Sequence, residues 1–340
     1  MVFPHHRAFF ILAPIADPEN SIYIGANQLF KENSMTDKNI SHHGIDEAPE
    51  QKYPNETMRL LIERSSCRSF HEKKIPDDIL NLILEAGNRA ATGGNLQPYS
   101  IIKIENETTK RKLTELCGDQ EFIFTAPVDL LFCLDWFRLK RWAELEIAPF
   151  TATASFRHFW ISFQDTLIAA QNICTAADAM GLGSVYVGTV LECFRELRKI
   201  FELPDGVFPV VLLSLGYPKA RPLPKRKLGI GTIVHNEKYR QLDDRDIRDG
   251  FEKKYPAWKK ELTPERLQMY EEVCRSAHGE EFAKNAMTRI EKQGYFNAIQ
   301  NYFGLHYVAH FMPEGNDEYL KTMKEFGFDW FEKYRPQEKL

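Results

Sequence analysis

The reading of this chain starts from Val207-Phe-Pro-Val-Val-Leu-Leu-Ser-Leu215, a run that closes on Gly216-Tyr217-Pro218. It is almost wholly apolar, rich in β-branched residues, and stopped by Gly and Pro, as a strand covered on both faces would be. Val128-Asp-Leu-Leu-Phe-Cys-Leu134 is a second run of the same kind. Ser100-Ile-Ile-Lys-Ile104 and Ser184-Val-Tyr-Val187 predict two shorter strands. Between them lie helical patterns. Pro76-Asp77-Asp78 opens one whose apolar face is Ile79, Leu80, Leu82, Ile83 and Ala86. Lys110 to Cys117, Phe159 to Met180 with its stop at Gly181, and Glu192 to Phe201 supply three more. Strands and helices in loose alternation predict an α+β sandwich around a mixed or antiparallel sheet.

Three stretches follow from composition. Residues 1–54 are rich in Asn, Ser, His, Asp and Pro without a sustained period, and read as an irregular arm. Met35 within it is an alternative start. Order begins at Glu56-Thr-Met-Arg-Leu-Leu-Ile-Glu63 and extends as one domain over 55–245. Residues 246–340 lack a convincing strand and carry Tyr295, Tyr302, Phe303, Tyr307, Phe326, Trp330 and Phe331. They read as a helical extension whose aromatic face must bury against the core domain or a partner subunit.

The chain has 340 residues, 44 Lys+Arg against 48 Asp+Glu, and a net charge of −4. That balance gives no basic face and no reason to expect nucleic-acid binding. Cys67, Cys117, Cys133, Cys174, Cys193 and Cys274 form no C-x-x-C pair, so zinc or iron–sulfur ligation is unsupported, and reduced thiols in a cytoplasmic protein are expected. His306 and His310 share a helical face, but Tyr307 stands where a zincin has Glu, so no metal site is expected. Ala8 to Ile15 only faintly imitates a signal peptide, and no apolar run is long enough to cross a membrane. His5-His6 and His42-His43 are expected to be solvated.

Four clusters carry chemistry. Arg64-Ser65-Ser66-Cys67-Arg68-Ser69-Phe70 combines two guanidiniums with hydroxyls, a set able to grip a phosphate. Ala90-Ala91-Thr92-Gly93-Gly94-Asn95-Leu96-Gln97-Pro98-Tyr99 offers two amides beside two glycines, suited to a planar heterocycle. Gly181-Leu-Gly-Ser-Val-Tyr-Val-Gly188 ends a helix and starts a strand, so it is no dinucleotide fingerprint. Pro222-Leu-Pro-Lys225-Arg226-Lys227 places a basic triplet beyond the last strand, where a solvated surface run is the commoner case.

In this order the clusters resemble the nitroreductase family: R-x-S-x-R-x-F, a small-residue loop ending in N-x-Q-P, a long helix leading to G-L-G, then L-G-Y-P with basic residues beyond. The resemblance covers Asn55 to Asp246. It implies a nitroreductase-like α/β/α sandwich with a mostly antiparallel central sheet, a homodimer, bound FMN, and NAD(P)H as co-substrate, with a weak lean to NADPH. Carried over by position, Arg64, Ser65, Ser66 and Arg68 contact the phosphate and ribityl chain, and Asn95 and Gln97 the polar edge of the flavin. The backbone near Val187 and Gly188 faces flavin N5, and Lys225 and Lys227 complete the phosphate or pyrimidine contacts. Ser65 departs from the family, which commonly has a basic residue there. The implied activity is ping-pong hydride transfer to a nitroaromatic, quinone or flavin, with no acid–base residue required. Alternatives on the same fold are reductive dehalogenation, flavin fragmentation, heterocycle oxidation, or flavin binding without turnover. The insertion Asp135 to Arg157, with Trp136, Phe137, Trp142, Phe150 and Phe156, is the expected lid.

Overall fold

A computed structural model describes residues 53–334; the stretch 1–52, with the apolar segment and both histidine pairs of the arm, lies outside them. Two compact units divide the chain, Met1–Ile62 and Glu63–Leu340. Of the first, the described part is chiefly helix α1, Glu56–Glu63, whose Arg59 pairs with Glu56 one turn earlier.

The second unit runs α2 (Asp77–Asn88), β1 (Tyr99–Ile104), α3 (Glu107–Leu116), α4 (Glu121–Thr125), β2 (Val128–Asp135), α5 (Phe137–Leu145), α6 (Phe156–Ala179), β3 (Gly183–Val187), α7 (Phe194–Phe201) and β4 (Val207–Gly216). After these come α8 (Ile230–Ile233), α9 (Asp244–Lys254), α10 (Pro264–His278), α11 (Glu280–Gln293), α12 (Ala298–Gln300) and α13 (Asn316–Glu325). The four strands form one sheet in the order β1-β2-β4-β3, antiparallel at every junction. An α+β architecture is therefore observed.

Every residue of β2 and of β4 is buried, so both faces of the two central strands are covered. This is why the two apolar runs show no alternation. Pro209 sits in central β4, where a missing N–H would break the ladder. The register slips there: Phe132 pairs with Val211 and Cys133 with Pro209, so Val210 bulges out and the proline is accommodated. One polar pair lies inside the sheet. Ser214 Oγ donates to Asp129 Oδ1 at 2.5 Å from the directly opposite position, while Asp129 Oδ2 is buried without a partner.

Helix α6 begins where the Ser155 side chain accepts the His158 N–H, and its buried face (Thr166, Ala169, Ala170, Ile173, Cys174, Ala177) packs on the sheet. Gly87 lets α2 approach α6 closely: a side chain there would run into Ile173 at 2.5 Å.

Beyond β4, α10 and α11 carry their own small core of Tyr270, Cys274, Ala283, Ile290 and Phe296. The chain then returns to the main core. Phe326 and Phe328 are fully buried in it, Phe326 against Phe208 and Phe328 against Phe159. Gly206 N donates to Phe326 O at 2.7 Å, and Arg195 clamps Glu325 of α13 through two bonds.

Candidate functional site

The end of the sheet at β3 and β4 brings together the first cluster, the start of the third and the chain that leads into the fourth. Cys67 N donates to Ser184 O at 2.9 Å, His71 N to Tyr217 O at 2.8 Å, and Lys219 N to Ser69 O at 2.9 Å; Phe70 bridges Pro218. The segment 64–70 thus lies along the ends of both strands. Such close approach requires glycine at the cross-strand pair Gly183 and Gly216. A Cβ on Gly183 would meet Cys67 Cβ at 2.6 Å, and one on Gly216 would meet Pro127 at 2.5 Å and Phe70 at 2.8 Å.

Arg64 is turned inward. Its Nε donates to Asp178 Oδ2 at 3.1 Å and its Nη2 to Ser184 Oγ at 3.2 Å. Ser65 is half-buried, and Ser66 and Arg68 are exposed beside it. Arg221, three residues beyond Pro218, takes the other Asp178 oxygen at 2.9 Å and donates to Leu182 O at 2.6 Å. The Asp178 side chain is 2% exposed, so this carboxylate serves the two arginines alone. Val187 is buried at the end of β3, whereas Gly188 is exposed with open space where a side chain would stand. Lys225 and Lys227 are exposed on the stretch that follows Arg221.

The second cluster is built elsewhere, between α2, β1 and α6. Gly93 N lies 3.1 and 3.0 Å from the two oxygens of Asp165 on α6, and a Cβ at Gly93 would strike Ile161 at 2.7 Å. Burial pushes the Asp165 carboxyl up, and the Gly93 N–H pulls it back. Gly94, Asn95 and Gln97 all have positive φ, at 60°, 57° and 51°. For Gln97 this is a strained conformation that its surroundings must impose. Thr92 Oγ1 accepts its N–H, Arg138 Nη2 donates to its carbonyl at 2.8 Å, and its side-chain Nε2 donates to Asn88 Oδ1 at 2.9 Å. Arg138 also binds Tyr99 O, Ser100 Oγ and Asp135, locking α5 to the loop. Asn95 and Gln97 border a groove of about 800 Å³ with Lys103, Arg138 and Trp142.

Two sequence expectations change here. Trp136 is not part of a lid: it is 3% exposed, and its Nε1 donates to Ser162 Oγ at 3.1 Å in the core. The insertion contains a regular helix, α5, whose Trp142 is 60% exposed. The cysteines at the site are poor nucleophiles, since burial pushes the Cys67 and Cys174 thiols up. Among the described residues no group of three or more His, Cys, Asp or Glu could hold a metal ion.

Residues 61–217 match the Nitroreductase family profile. An FMN reductase (NAD(P)H) of Bacillus subtilis (strain 168) is 33% identical over 191 residues, 56% of this chain and 77% of that protein. The chain belongs to the nitroreductase family. An oxygen-insensitive NADPH nitroreductase of Salmonella typhimurium is 30% identical over 189 residues, 77% of its length. Among solved structures, NfrA2 of B. megaterium aligns with a TM-score of 0.64 at 26% identity, covering 82% of this chain and 100% of that one. That share exceeds what residues 1–245 could supply alone, so the likeness to this structure continues into the helices beyond β4. Asp178, Arg221, Asp165 and Arg138 escaped the sequence reading. Each is a lone charge without a pattern; the only available signal was the Arg three residues after L-G-Y-P.

Proposed function

We propose that this nitroreductase-family chain is an NAD(P)H-dependent FMN oxidoreductase that reduces a small acceptor such as a nitroaromatic, a quinone or a free flavin. The observation that carries the reading is the convergence of Arg64 to Arg68 with the start of β3 at Gly183 and Ser184 and with the post-β4 stretch as far as Arg221, at one end of the sheet. The donor set fits FMN. Cations and hydroxyls at Arg64, Ser65, Ser66 and Arg68, completed by Lys225 and Lys227, suit a phosphate and ribityl chain. The side-chain amides of Asn95 and Gln97, both bordering the groove, suit the alternating N–H and C=O groups of the pyrimidine edge. The exposed backbone at Gly188, next to buried Val187, suits the N5 edge, where a side chain would crowd the ring.

Bound FMN would supply hydride transfer at N5; the chain supplies position and electrostatics. Arg64 and Arg68 offset the phosphate charge, Asn95 and Gln97 meet the polar edge of the ring, and the strained 93–97 turn is pre-set before any ligand arrives. The relatives include an NADPH-flavin oxidoreductase of Vibrio harveyi, and a ping-pong order of substrates is the expected kinetic pattern. The chain acts as a homodimer, supported by Phe156, Trp160, Leu167 and Ile168, which leave an exposed apolar stripe along α6. Residues 246–340 act as a helical extension bordering access to the flavin, and the cytoplasm is the expected compartment. The test is optical. Purified protein should be yellow, bleach with NADPH or NADH, and recolour on adding a quinone or nitroaromatic. A protein that binds FMN and never bleaches would refute the reductase reading.

A further inference from the structure

Asp178 is the best-shielded charge at the site, and it has no role in the family pattern quoted above. Its two oxygens are divided between Arg64 Nε and Arg221 Nη1, which brings two guanidiniums to opposite edges of one buried carboxylate. Two cations against one anion leave the cluster one charge positive. Arg221 is not a spent partner: its side chain is 42% exposed, against 22% for Arg64 and 2% for Asp178. Among the described residues, Arg64 uses Nε and Nη2 and Arg221 uses Nη1 and Nη2. The Nη1 amino group of Arg64 and the Nε–H of Arg221 are left for a further acceptor. The stretch bearing Arg221 also lies against the hydroxyl-rich segment, through Lys219 N to Ser69 O at 2.9 Å and Cys67 Sγ to Ala220 O at 3.8 Å.

Resting on the proposed function, we propose that Arg221 is a phosphate-binding residue of the flavin site, mated to Arg64 through Asp178. The carboxylate sets the spacing and rotation of both guanidiniums, which would otherwise repel, and its charge leaves room for a doubly negative phosphate monoester. Arg221 is at the same time the last residue tied down before Lys225 and Lys227, so it delivers the basic triplet to the same ligand. The chemistry selects a phosphorylated flavin over the unphosphorylated one.

Riboflavin lacks the phosphate and serves as the internal control. Dissociation constants for FMN and riboflavin are measured by quenching of flavin fluorescence, for wild type, Arg221→Gln and Arg221→Lys, across a series of salt concentrations. Arg221→Gln should weaken FMN about ten- to a hundredfold, the range of a lost charge-assisted hydrogen bond. Riboflavin should move less than about twofold on the same reasoning, the salt dependence for FMN should flatten, and Arg221→Lys should recover part of the loss. If wild type prefers FMN and Arg221→Gln keeps that preference, or loses both flavins equally, the role of Arg221 is overturned. If wild type binds the two flavins equally, the phosphate cradle of the proposed function falls, and this assignment with it.

Discussion

Asp129 shows how much one buried side chain can govern. It lies in central β2 with one oxygen held by Ser214 and the other unpaired, and burial raises its pKa to about 7. Lys110 and the Ser214 hydroxyl only partly offset this. The native carboxyl holds its proton more tightly than the unfolded chain does. Its contribution to stability is thus fully present below about pH 4 and is lost as pH rises through about 7. Asp129→Asn keeps an oxygen for Ser214 and never ionises. Relative to wild type it should be near neutral at pH 4 and gain stability toward pH 8, by roughly 4 kcal/mol at most. Urea unfolding at a series of pH values checks this; parallel profiles would contradict it. Gly183→Ala should act differently, through the 2.6 Å approach of Cys67. It should cost about 1–3 kcal/mol as overpacking and weaken FMN binding by displacing Arg64 to Arg68, read by thermal melts and flavin titration on the same samples. The residues proposed to hold the flavin stand in motifs that repeat chemistry at short spacing, which a sequence displays directly. Asp178 was not: its bond to Arg64 joins positions 114 apart, and no local pattern records such a pairing.

At the level of elements, the strands were read nearly to the residue, because β2 and β4 are buried on both faces and their apolar runs have no competing interpretation. Helix starts were read late where the cap is polar. The third helix begins at Glu107 because Asn106 accepts the Thr109 N–H, a signal present in Asn-Glu-Thr but upstream of the first apolar position. Helix α5 escaped because it buries none of its residues and has no side-chain cap, leaving neither a stripe nor a start to find. The segment after α13 makes the clearest energetic claim. Phe328 is fully buried and packs edge-on against both Phe159 and Phe208. Phe328→Ala should cost about 3–5 kcal/mol, seen as a lowered denaturant midpoint with little change in slope.

For the whole molecule, the chain is best pictured as one main core that recruits aromatic residues from its far end, with a minor core in α10 and α11. Aromatic density after residue 245 was visible in the sequence, but which rings reach the main core depends on a return path that only the fold supplies. On the outer face, the α6 stripe predicts self-association. Trp160→Glu should convert a dimer to a monomer in analytical ultracentrifugation, and wild type sedimenting as a monomer at micromolar concentration would remove that part of the proposal. The docking of Phe326 beside Gly206 and Phe208 also sets a clock. A contact spanning more than a hundred residues closes late, because the entropy of the intervening loop must be met first. Refolding should therefore show an early phase in which the sheet forms with Phe208 still wet, followed by a slower phase as the tail arrives, and aggregation during the interval between them.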